Sequence, residues 1–188
     1  MIFLVSGPSG SGKTTLLASL VKDKDLRRRL ARSVSITTRP RRFKERQRKD
    51  YYFIDSREFA RQRQRKKILE WTRYLGYYYA TPRDFVQDRL AQGKSILLSL
   101  DLKGARLIKR SYPDRTITIF ILPPSLGVLR GRIENRSPAT TREEIQNRLK
   151  LAQAEVLAAR RYDYCLINDD LQKTLAQLKE IVLEETGC

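Results

Sequence analysis

The sequence contains no histidine, and this absence excludes several classes of catalytic site. Among its 188 residues there are also only two cysteines, one methionine and one tryptophan. Without an imidazole the chain cannot form a Ser-His-Asp triad, a Cys-His pair or a histidine-ligated metal centre. Any catalysis must therefore use lysine, arginine, carboxylates, hydroxyls or backbone amides.

A disulfide framework and long apolar runs are also missing. The two cysteines, Cys165 and Cys188, form neither a disulfide framework nor the closely spaced pairs of a zinc-binding motif. This low use of cysteine favours a reducing compartment. The apolar residues 2–5 are too few for the hydrophobic region of a signal peptide or for a membrane span. We therefore expect a cytoplasmic protein without a disulfide bond.

Acidic residues are scarce relative to basic ones. The chain has 39 Lys+Arg and 21 Asp+Glu, and its formal net charge is +18. The imbalance is concentrated between Lys22 and Lys67, where 19 basic residues occur with six acidic ones. A segment with this much like charge calls for an anionic partner or for extended, solvated loops, and phosphates are the natural partner.

The pattern of apolar residues predicts an α/β fold. Three runs are apolar on both faces, as in a parallel sheet covered by helices; with a fourth run, the predicted strands are 2–6, 95–100, 117–122 and 164–167. Helices are predicted after them, near 13–22, 103–110, 125–135 and 171–185. The segment 33–81 interrupts this alternation, and we interpret it as an inserted lobe of short mixed strands around a helix near 56–66.

Two further helix starts carry capping signals. Thr81 and Pro82 suit the N-cap and first helical positions. Thr141 opens a capping box with Glu144, which predicts the start of a long helix that extends to about Arg161.

A glycine-rich motif directly follows the first predicted strand. It is Gly7-Pro8-Ser9-Gly10-Ser11-Gly12-Lys13-Thr14, which matches G-x-x-x-x-G-K-[ST] between a strand and a helix. Its glycines allow backbone N–H groups to face a phosphate at the positive end of the helix. We expect Lys13 to reach the β- and γ-phosphates of a nucleoside triphosphate and the Thr14 hydroxyl to ligate Mg²⁺, and we include Thr15 in this nucleotide site. Among switch hydrolases, motors and small-molecule kinases, the short chain favours a kinase.

A second group of residues has the chemistry to bind a phosphorylated acceptor. The segments 33–42 and 50–53 bring arginines together with hydroxyls and tyrosines, which suits a phosphomonoester. Further along, Glu70 and the run 76–81 add a carboxylate and more hydroxyls. A carboxylate that faces a purine accepts hydrogen bonds from N1–H and the N2 amine of guanine, which adenine does not offer.

These motifs resemble those of the guanylate kinase family, and the resemblance covers nearly the whole chain. The family patterns S-x-T-T-R-x-x-R, D-Y-x-F, F-[IL]-E-W and G-N-Y-Y-G-[ST] are similar to 35–42, 50–53, 68–71 and 76–81. Later family patterns resemble 99–104, 120–125, 132–136, 145–149 and 162–169.

The resemblance implies transfer of a phosphoryl group from ATP to GMP, with Mg²⁺ as the cofactor. It implies a core at 1–32 and 82–188, a GMP-binding lobe at 33–81 and a helical lid at about 126–148. The residues implied for the GMP phosphate are Arg39, Arg42, Tyr51 and Tyr79, and those for guanine are Ser35, Glu70, Thr81 and Asp101. Catalytic charge stabilisation is implied for Lys13, Arg132, Arg136 and Arg148, and a place near the adenine for Asn168.

The chain departs from the family pattern at four positions that bear on the site. Lys44 and Arg48 replace the two glycines of G-E-x-x-G, Ala80 replaces the glycine of Tyr-Tyr-Gly, and Ser99 replaces the first aspartate of D-I-D. A position that needs a positive φ is strained when a residue other than glycine occupies it. The aspartate would lie near the Mg²⁺ of a P-loop enzyme, so Ser99 bears on metal positioning and turnover.

Two alternatives stay open on the sequence alone. A related P-loop kinase could act on another acceptor such as a sugar phosphate, although Glu70 and Asp101 suit guanine. A catalytically weak module of the same fold could bind nucleic acid or a protein through the arginine-rich lobe, although a scaffold has no use for Lys13 and Thr14. One mononucleotide does not account for the basic excess, so nucleic acid stays open as a partner.

Overall fold

The computed structural model of the chain describes residues 1–136 and 141–187, apart from the side chain of Arg136. The strands are β1 (Ile2–Ser6), β2 (Leu30–Arg32), β3 (Ile36–Thr37), β4 (Tyr52–Phe53), β5 (Ile68–Tyr74), β6 (Tyr77–Pro82), β7 (Ser95–Ser99), β8 (Thr116–Leu122) and β9 (Tyr164–Ile167). The helices are α1 (Lys13–Leu20), α2 (Ser56–Gln64), α3 (Arg83–Ala91), α4 (Leu102–Ser111), α5 (Leu126–Arg136), α6 (Arg142–Ala158) and α7 (Leu171–Glu185). Within these described ranges, no helix combines the length and the apolar composition needed to cross a membrane.

The larger sheet has five parallel strands in the order β2-β7-β1-β8-β9. The central strand β1 pairs with β7 on one side and with β8 on the other, and all of its residues are buried. Burial on both faces is the environment that favours continuous apolar strands. Because the strands are parallel, their carboxyl ends meet at one edge of the sheet, and the glycine loop after β1 begins at this edge.

Alternate residues of β1 belong to apolar cores on the two faces of this sheet. Phe3 belongs to a cluster that includes Leu17 of α1 and Leu178 of α7. Leu4 belongs to the cluster on the other face, which includes Val86 of α3. The two cores fix the position of β1 and therefore of the loop that follows it.

The smaller sheet is mixed and has the order β4-β3-β6-β5. β3 runs parallel to β4 and antiparallel to β6, and β6 runs antiparallel to β5. Helix α2 covers one face of this sheet through Phe59, the residue that α2 buries. The ring of Phe59 stacks on Tyr78 with a centroid distance of 4.7 Å and meets Trp71 edge-on at 6.2 Å. This aromatic contact holds the helix on the sheet.

Helices α5 and α6 pack on each other through an apolar cluster of their own. Leu129 and Ile133 of α5 belong to it with Ile145 and Ala152 of α6. The cluster is separate from those that flank the larger sheet and from the one under α2. The helix pair and the smaller sheet therefore each have a hydrophobic core of their own.

The predicted α/β class is confirmed, with a parallel sheet flanked by helices and a mixed sheet beside it. The strands predicted at 2–6 and 164–167 have these bounds. Thr141 caps α6 as predicted, because its hydroxyl accepts a hydrogen bond from the backbone N–H of Glu144. The α-helix ends at Ala158, and a 3₁₀ turn continues it to Arg161.

The predicted helix start at Thr81 is wrong by one residue. Pro82 is the N-cap of α3, whereas Thr81 is part of β6 and pairs with Glu70 of β5. The Thr81 hydroxyl donates a hydrogen bond to the Glu70 carboxylate instead of capping the helix. Strand pairing therefore outweighs the capping signal at this position.

The strain expected at the replaced glycines is present at one of the two positions. Arg48 has a φ of 64°, in the left-handed region, whereas Lys44 is not among the described non-glycine residues with positive φ. The N–H of Arg48 donates to the carbonyl of Tyr51 at 2.8 Å, so a tight turn fixes this conformation. The left-handed backbone costs a non-glycine residue about 1–2 kcal/mol.

We predict that Phe59→Ala loosens the smaller sheet, because it removes the contact that holds α2 in place. Loss of a buried phenylalanine costs about 3–5 kcal/mol. Hydrogen exchange should therefore increase more in α2, β5 and β6 than in β1. Arg57→Ala changes an exposed residue of the same helix and is the control, with an expected change in stability below about 0.5 kcal/mol. Equal loss of protection in both sheets would contradict this account.

Candidate active site

The residues with predicted roles surround one large cavity. Its volume is about 1160 Å³, and its walls come from the carboxyl edge of the larger sheet, the smaller sheet and the helix pair α5–α6. The predicted residues that line it are Gly7, Ser9, Gly10, Gly12, Lys13, Thr14, Thr15, Ser35, Arg39, Arg42, Tyr51, Glu70, Tyr79, Asp101, Arg132, Arg148 and Asn168. The structure thus brings most of the predicted ATP and GMP residues to a single space.

Four predicted residues are not part of this lining. Pro8 and Ser11 are buried within the glycine loop, and Thr81 is buried against Glu70. The side chain of Arg136 lies outside the described residues, so its role stays a prediction.

The glycine loop depends on close packing at two positions. Gly7 and Gly12 have φ values of 141° and 95°. A Cβ at Gly7 would lie 2.3 Å from the Ile121 carbonyl oxygen, and a Cβ at Gly12 would lie 2.1 Å from Nδ2 of Asn168. Both positions therefore require glycine. The loop leads directly into α1, whose N-terminal amides favour an anion.

Asn168 connects the end of β9 to the glycine loop. Its side-chain amide donates to the Ser11 carbonyl at 2.7 Å, and its backbone N–H donates to the Leu122 carbonyl at 2.8 Å. Its own carbonyl accepts from Nη2 of Arg132 at 3.2 Å. Asn168 therefore joins the loop, β8 and α5, a structural role that the sequence did not predict.

The Lys13 ammonium is held at the glycine loop. Nζ donates to the carbonyl oxygen of Gly7 at 2.5 Å and to that of Pro8 at 2.8 Å. These contacts fold the side chain back over the loop and keep its positive charge beside the N-terminus of α1. An anion bound by the loop would lie within reach of this charge.

Two arginines at the cavity have buried N–H groups without an acceptor. Nη1 of Arg132 and Nε of Arg148 have no hydrogen-bond partner in the part of the chain that the structure describes. One other nitrogen of each side chain is engaged, since Nη2 of Arg132 donates to the Asn168 carbonyl and Nη2 of Arg148 to the Glu144 carboxylate. A buried donor without an acceptor costs about 1–3 kcal/mol. An anionic ligand in the cavity would satisfy both groups.

Arg39 is buried at the wall that the smaller sheet provides. Its Nη2 donates to both carboxylate oxygens of Glu45, at 2.8 and 2.9 Å, and its Nη1 donates to the Pro40 carbonyl at 2.7 Å. Its guanidinium carbon lies 5.4 Å from the ring centroid of Tyr51, which is 6.0 Å from that of Tyr79. These contacts restrict Arg39 to one orientation beside two tyrosines.

Glu70 supplies a buried carboxylate at the same cavity. Its Oε1 accepts from the Thr81 hydroxyl at 2.6 Å, while its Oε2 lacks a partner among the described residues. Burial raises the pKa of Glu70 to about 7; the hydrogen bond from Thr81 opposes this shift and the charge of Asp101 adds to it. Thr81 therefore positions Glu70, and Oε2 remains an acceptor for a ligand N–H group.

Asp101 is anchored where α4 begins. Its Oδ1 accepts from the Gly104 N–H at 2.8 Å, which makes Asp101 the N-cap of α4. The same residue lines the cavity, and its charge acts on Glu70. The carboxylates of Asp101 and Glu70 thus lie close together at the cavity, one from each sheet's side.

Glu155 is a cavity residue that the sequence patterns did not identify. It lies in α6, about two turns after Arg148 and on the same face of the helix. Its Oε2 is buried and finds no partner among the described groups. Burial raises the pKa of Glu155, Lys13 opposes this shift, and Asp101 adds to it. Its helical spacing from Arg148 was the available signal.

The cavity offers few protein ligands for a divalent cation. The described ranges contain no group of three or more His, Cys, Asp or Glu side chains suited to a metal. Thr14 and Ser99 contribute hydroxyls to the lining. Mg²⁺ usually keeps several waters and binds one or two protein ligands together with phosphate oxygens. The donor set therefore fits Mg²⁺ that arrives with a nucleotide.

The parallel sheet, the glycine loop after its central strand and the cation-lined cavity define a P-loop nucleotide-binding protein. Comparison with protein families makes this class more specific, because the model described as guanylate kinase matches residues 2–185. The chain belongs to the guanylate kinase family, and the family predicted from the motifs is confirmed.

Individual proteins of this family are similar to the chain over nearly its full length. The guanylate kinase of Rickettsia prowazekii is 42% identical over 187 residues, which cover 98% of this chain and 91% of that protein. The guanylate kinase of Thermosynechococcus vestitus is 41% identical over 181 residues, covering 96% and 92%. The crystal structure of guanylate kinase from Anaplasma phagocytophilum matches with a TM-score of 0.82 and 31% identity, covering 99% and 86%.

We predict that Glu70→Gln stabilises the ligand-free protein at pH 8 but not at pH 5. Folding raises the pKa of Glu70 from 4.5 to about 7, so the folded state loses stability as the pH rises between these values. Glutamine stays neutral and avoids this loss, which is at most about 3 kcal/mol. Urea unfolding at both pH values measures the difference.

The control for this prediction is Glu180→Gln, which changes an exposed carboxylate of α7. It should alter stability little at either pH. If Glu70→Gln had the same effect at pH 5 and pH 8, the burial of an ionisable carboxylate would not be the cause.

Proposed function

We propose that the chain transfers the γ-phosphoryl group of ATP to GMP, giving ADP and GDP. The observation that carries this proposal is that one cavity is lined both by the glycine loop and by a second group built around Arg39 and Glu70. Membership of the guanylate kinase family supports it, as do relatives named guanylate kinase at about 40% identity. These findings favour GMP over another phosphorylated acceptor, and a kinase over a binding module.

We assign the second group to GMP. Arg39, Arg42, Tyr51 and Tyr79 line the cavity and supply N–H and O–H donors for the phosphate. A guanidinium held by Glu45 has its fork oriented in advance, which lowers the entropy lost when the phosphate binds.

The carboxylates on the same wall suit guanine. Oε2 of Glu70 lacks a partner among the residues that the structure describes, and the N1–H and N2 amine of guanine are the donors that match it. Asp101 and Ser35 complete the proposed guanine contacts, and Thr81 acts by positioning Glu70. Adenine offers no N1–H donor, so this wall discriminates between the two purines.

The reaction needs no general base, which agrees with the absence of histidine. A phosphate monoester is largely dianionic at pH 7, so its oxygen is ready to attack. Catalysis then consists of aligning the two substrates and neutralising negative charge. Lys13, Arg132 and Arg148 are the cavity cations that we assign to this role, and Arg136 is proposed with them.

We propose Mg²⁺ as the cofactor, held by the Thr14 hydroxyl together with phosphate oxygens and water. When bound, the ion neutralises charge on the β- and γ-phosphates. Ser99 pairs with Val5 at the end of β7, beside the strand that leads into the loop. A hydroxyl there gives less electrostatic help to a cation than a carboxylate would, so we expect a weaker hold on the metal.

We propose that 33–81 forms a GMP-binding lobe and about 126–148 a lid on a core of 1–32 and 82–188. The separate apolar clusters under α2 and between α5 and α6 support this division, because each unit retains its packing when it moves. Closure excludes water that would otherwise accept the phosphoryl group. We also propose a cytoplasmic location, where a thiol such as that of Cys165, which is free among the described residues, stays reduced.

We predict that Lys13→Ala lowers GMP-dependent ADP production by at least about 100-fold, because it removes the fixed positive charge that would lie beside the transferring phosphoryl group. A coupled assay of ATP with and without GMP measures the rate, and thermal melting shows whether the fold is retained. Lys150→Ala changes an exposed lysine of α6 and should keep the wild-type rate. GDP production near the wild-type rate by the Lys13 variant would refute the proposal.

The same assay with AMP, UMP and ribose phosphate in place of GMP tests the acceptor. We expect GMP to be strongly preferred. Preference for a ribose phosphate would favour the related kinase, and absence of turnover with every acceptor would favour the binding module.

We predict that Thr14→Val raises the Mg²⁺ concentration needed for half-maximal rate by about tenfold or more, because it removes the one protein ligand that we assign to the ion. Thr14→Ser keeps the hydroxyl and is the matched control. Titration of Mg²⁺ at saturating ATP and GMP measures the effect. An unchanged Mg²⁺ dependence in the valine variant would exclude Thr14 as a ligand.

A further inference from the structure

Twelve exposed cations lie on the smaller sheet and its connections, outside the roles proposed above. We call them the basic strip: Arg41, Lys44, Arg46, Arg48, Lys49, Arg57, Arg61, Arg63, Arg65, Lys66, Lys67 and Arg73. Among the described residues, Arg61 is the one member that forms an ion pair, with Glu58. The strip therefore presents a surplus of positive charge to solvent.

The acidic residues of 33–81 are already used within the fold. Glu45 binds Arg39, Asp50 accepts from the backbone of Arg46, and Asp55 caps α2. Glu58 pairs with Arg61, and Glu70 is buried. The segment thus contains no spare carboxylate to neutralise the strip.

The topology makes the strip continuous. The loop 41–49 leads into β4, which is one edge of the smaller sheet, and α2 follows β4 and precedes β5, which is the other edge. Helix α2 therefore crosses the sheet from edge to edge. Because Phe59 turns inward onto Tyr78, Arg57 and Arg61 lie on the solvent side of α2, whereas Arg63 lies nearer the sheet, over the ring of Trp71.

Exposed aromatic rings lie among these cations. In the described part of the chain, the large aromatic side chains that are at least 36% exposed all fall within 43–77, and they are Phe43 at 97%, Tyr52 at 36%, Trp71 at 37% and Tyr77 at 39%. The guanidinium of Arg63 lies 5.3 Å from the ring centroid of Trp71. Phe43 is flanked in sequence by Arg42 and Lys44 and has almost no contact with the fold.

We propose that the basic strip binds single-stranded nucleic acid. Guanidinium forks bind backbone phosphates, and exposed rings stack on unpaired bases, which is the combination that single-strand binding surfaces use. Eight of the twelve cations are arginines, the type that both pairs with phosphate and stacks on bases. A duplex would leave the rings without base faces to stack on.

An anionic membrane is the less suitable partner for this surface. Helices that bind membranes carry a continuous apolar face opposite their cations. The large apolar residue of α2 is Phe59, which is buried against the sheet, and the solvent side of the helix is basic. The exposed rings are spread along the strip rather than gathered into one apolar patch.

Binding of nucleic acid by the basic strip does not depend on the proposed kinase activity. GMP carries about two negative charges, and Arg39 and Arg42 are the arginines that we assign to it. We therefore expect oligonucleotide binding to persist when GMP saturates the cavity, and kinase activity to persist when the strip is altered.

The test is fluorescence anisotropy of the full chain with a labelled oligouridylate of about twenty nucleotides, between about 50 and 200 mM KCl. Six phosphate contacts give a slope of log K against log salt of about −4, so affinity should fall by roughly 250-fold over this range. Saturating GMP should leave it unchanged. Absence of binding at the lowest salt, or displacement by GMP, would overturn the proposal.

Paired variants separate charge from stacking. The triple variant Arg57→Gln, Arg65→Gln, Lys67→Gln should weaken binding at least tenfold near 100 mM KCl and reduce the steepness of the salt slope by about 2. Phe43→Ala should weaken binding by about fivefold or more with an unchanged slope. Both should keep the wild-type rate of GMP phosphorylation.

The control is Arg110→Gln, Arg160→Gln, Lys173→Gln, which removes the same charge from exposed positions on the core. It should bind the oligonucleotide almost as the wild type does. Equal loss in the two triple variants would mean that net charge alone drives binding, and would overturn the strip as a site. Binding to phosphatidylserine vesicles without binding to the oligonucleotide would replace nucleic acid with a membrane.

Discussion

Unsatisfied N–H groups at the cavity are the feature on which the site depends. β1 delivers a glycine loop to the carboxyl edge of the parallel sheet, and Asn168 fixes this loop from beneath while its carbonyl holds Arg132. Nη1 of Arg132 and Nε of Arg148 are buried without an acceptor in the described structure. Burying these donors without acceptors lowers the stability of the folded state, and the apolar packing on both faces of β1 offsets this loss. A bound phosphate would accept hydrogen bonds from these N–H groups, so the stability lost in the free protein would contribute to the free energy of binding.

The cavity also contains buried acceptors that lack donors, and they belong to two carboxylates. Within the described part of the chain, Oε2 of Glu70 and Oε2 of Glu155 are buried without donors, and burial raises the pKa of each side chain. Glu70 lies on the wall of the smaller sheet, where guanine N–H groups would complete its hydrogen bonds. Glu155 lies in α6, and its carboxylate interacts electrostatically with the ammonium of Lys13. The unpaired groups thus lie in different parts of the cavity, with Oε2 of Glu70 at the smaller sheet and Nη1 of Arg132 and Nε of Arg148 on the helix pair α5–α6, as two ligands of different chemistry require. Binding of GMP should therefore favour the ionised form of Glu70.

Local signals in the sequence predicted the parts of the fold that local forces determine. Gly7 and Gly12 mark the loop because packing against Ile121 and Asn168 leaves no room for a Cβ. Thr81 misled the prediction because its pairing partner, Glu70, is eleven positions away and the capping signal is local. Contacts such as that of Asn168 with the Ser11 carbonyl, or Glu155 near Lys13, depend on how separate elements pack. No periodicity within one element reports such contacts, so the motifs identified site residues such as Thr81 and Asn168 but not the contacts by which they position other groups.

The placement of charge shows why the site alone does not account for the basic composition. Glu45 already neutralises Arg39, the buried arginine that we assign to the acceptor phosphate, so the acceptor site adds little to the surplus. The other acids of the smaller sheet cap α2, close a turn, pair with Arg61 or line the cavity wall. The cations of the basic strip consequently repel one another across a helix that one phenylalanine holds on the sheet. A flexible polyanion lying along the strip would relieve this repulsion at every position, whereas a mononucleotide would relieve it at none.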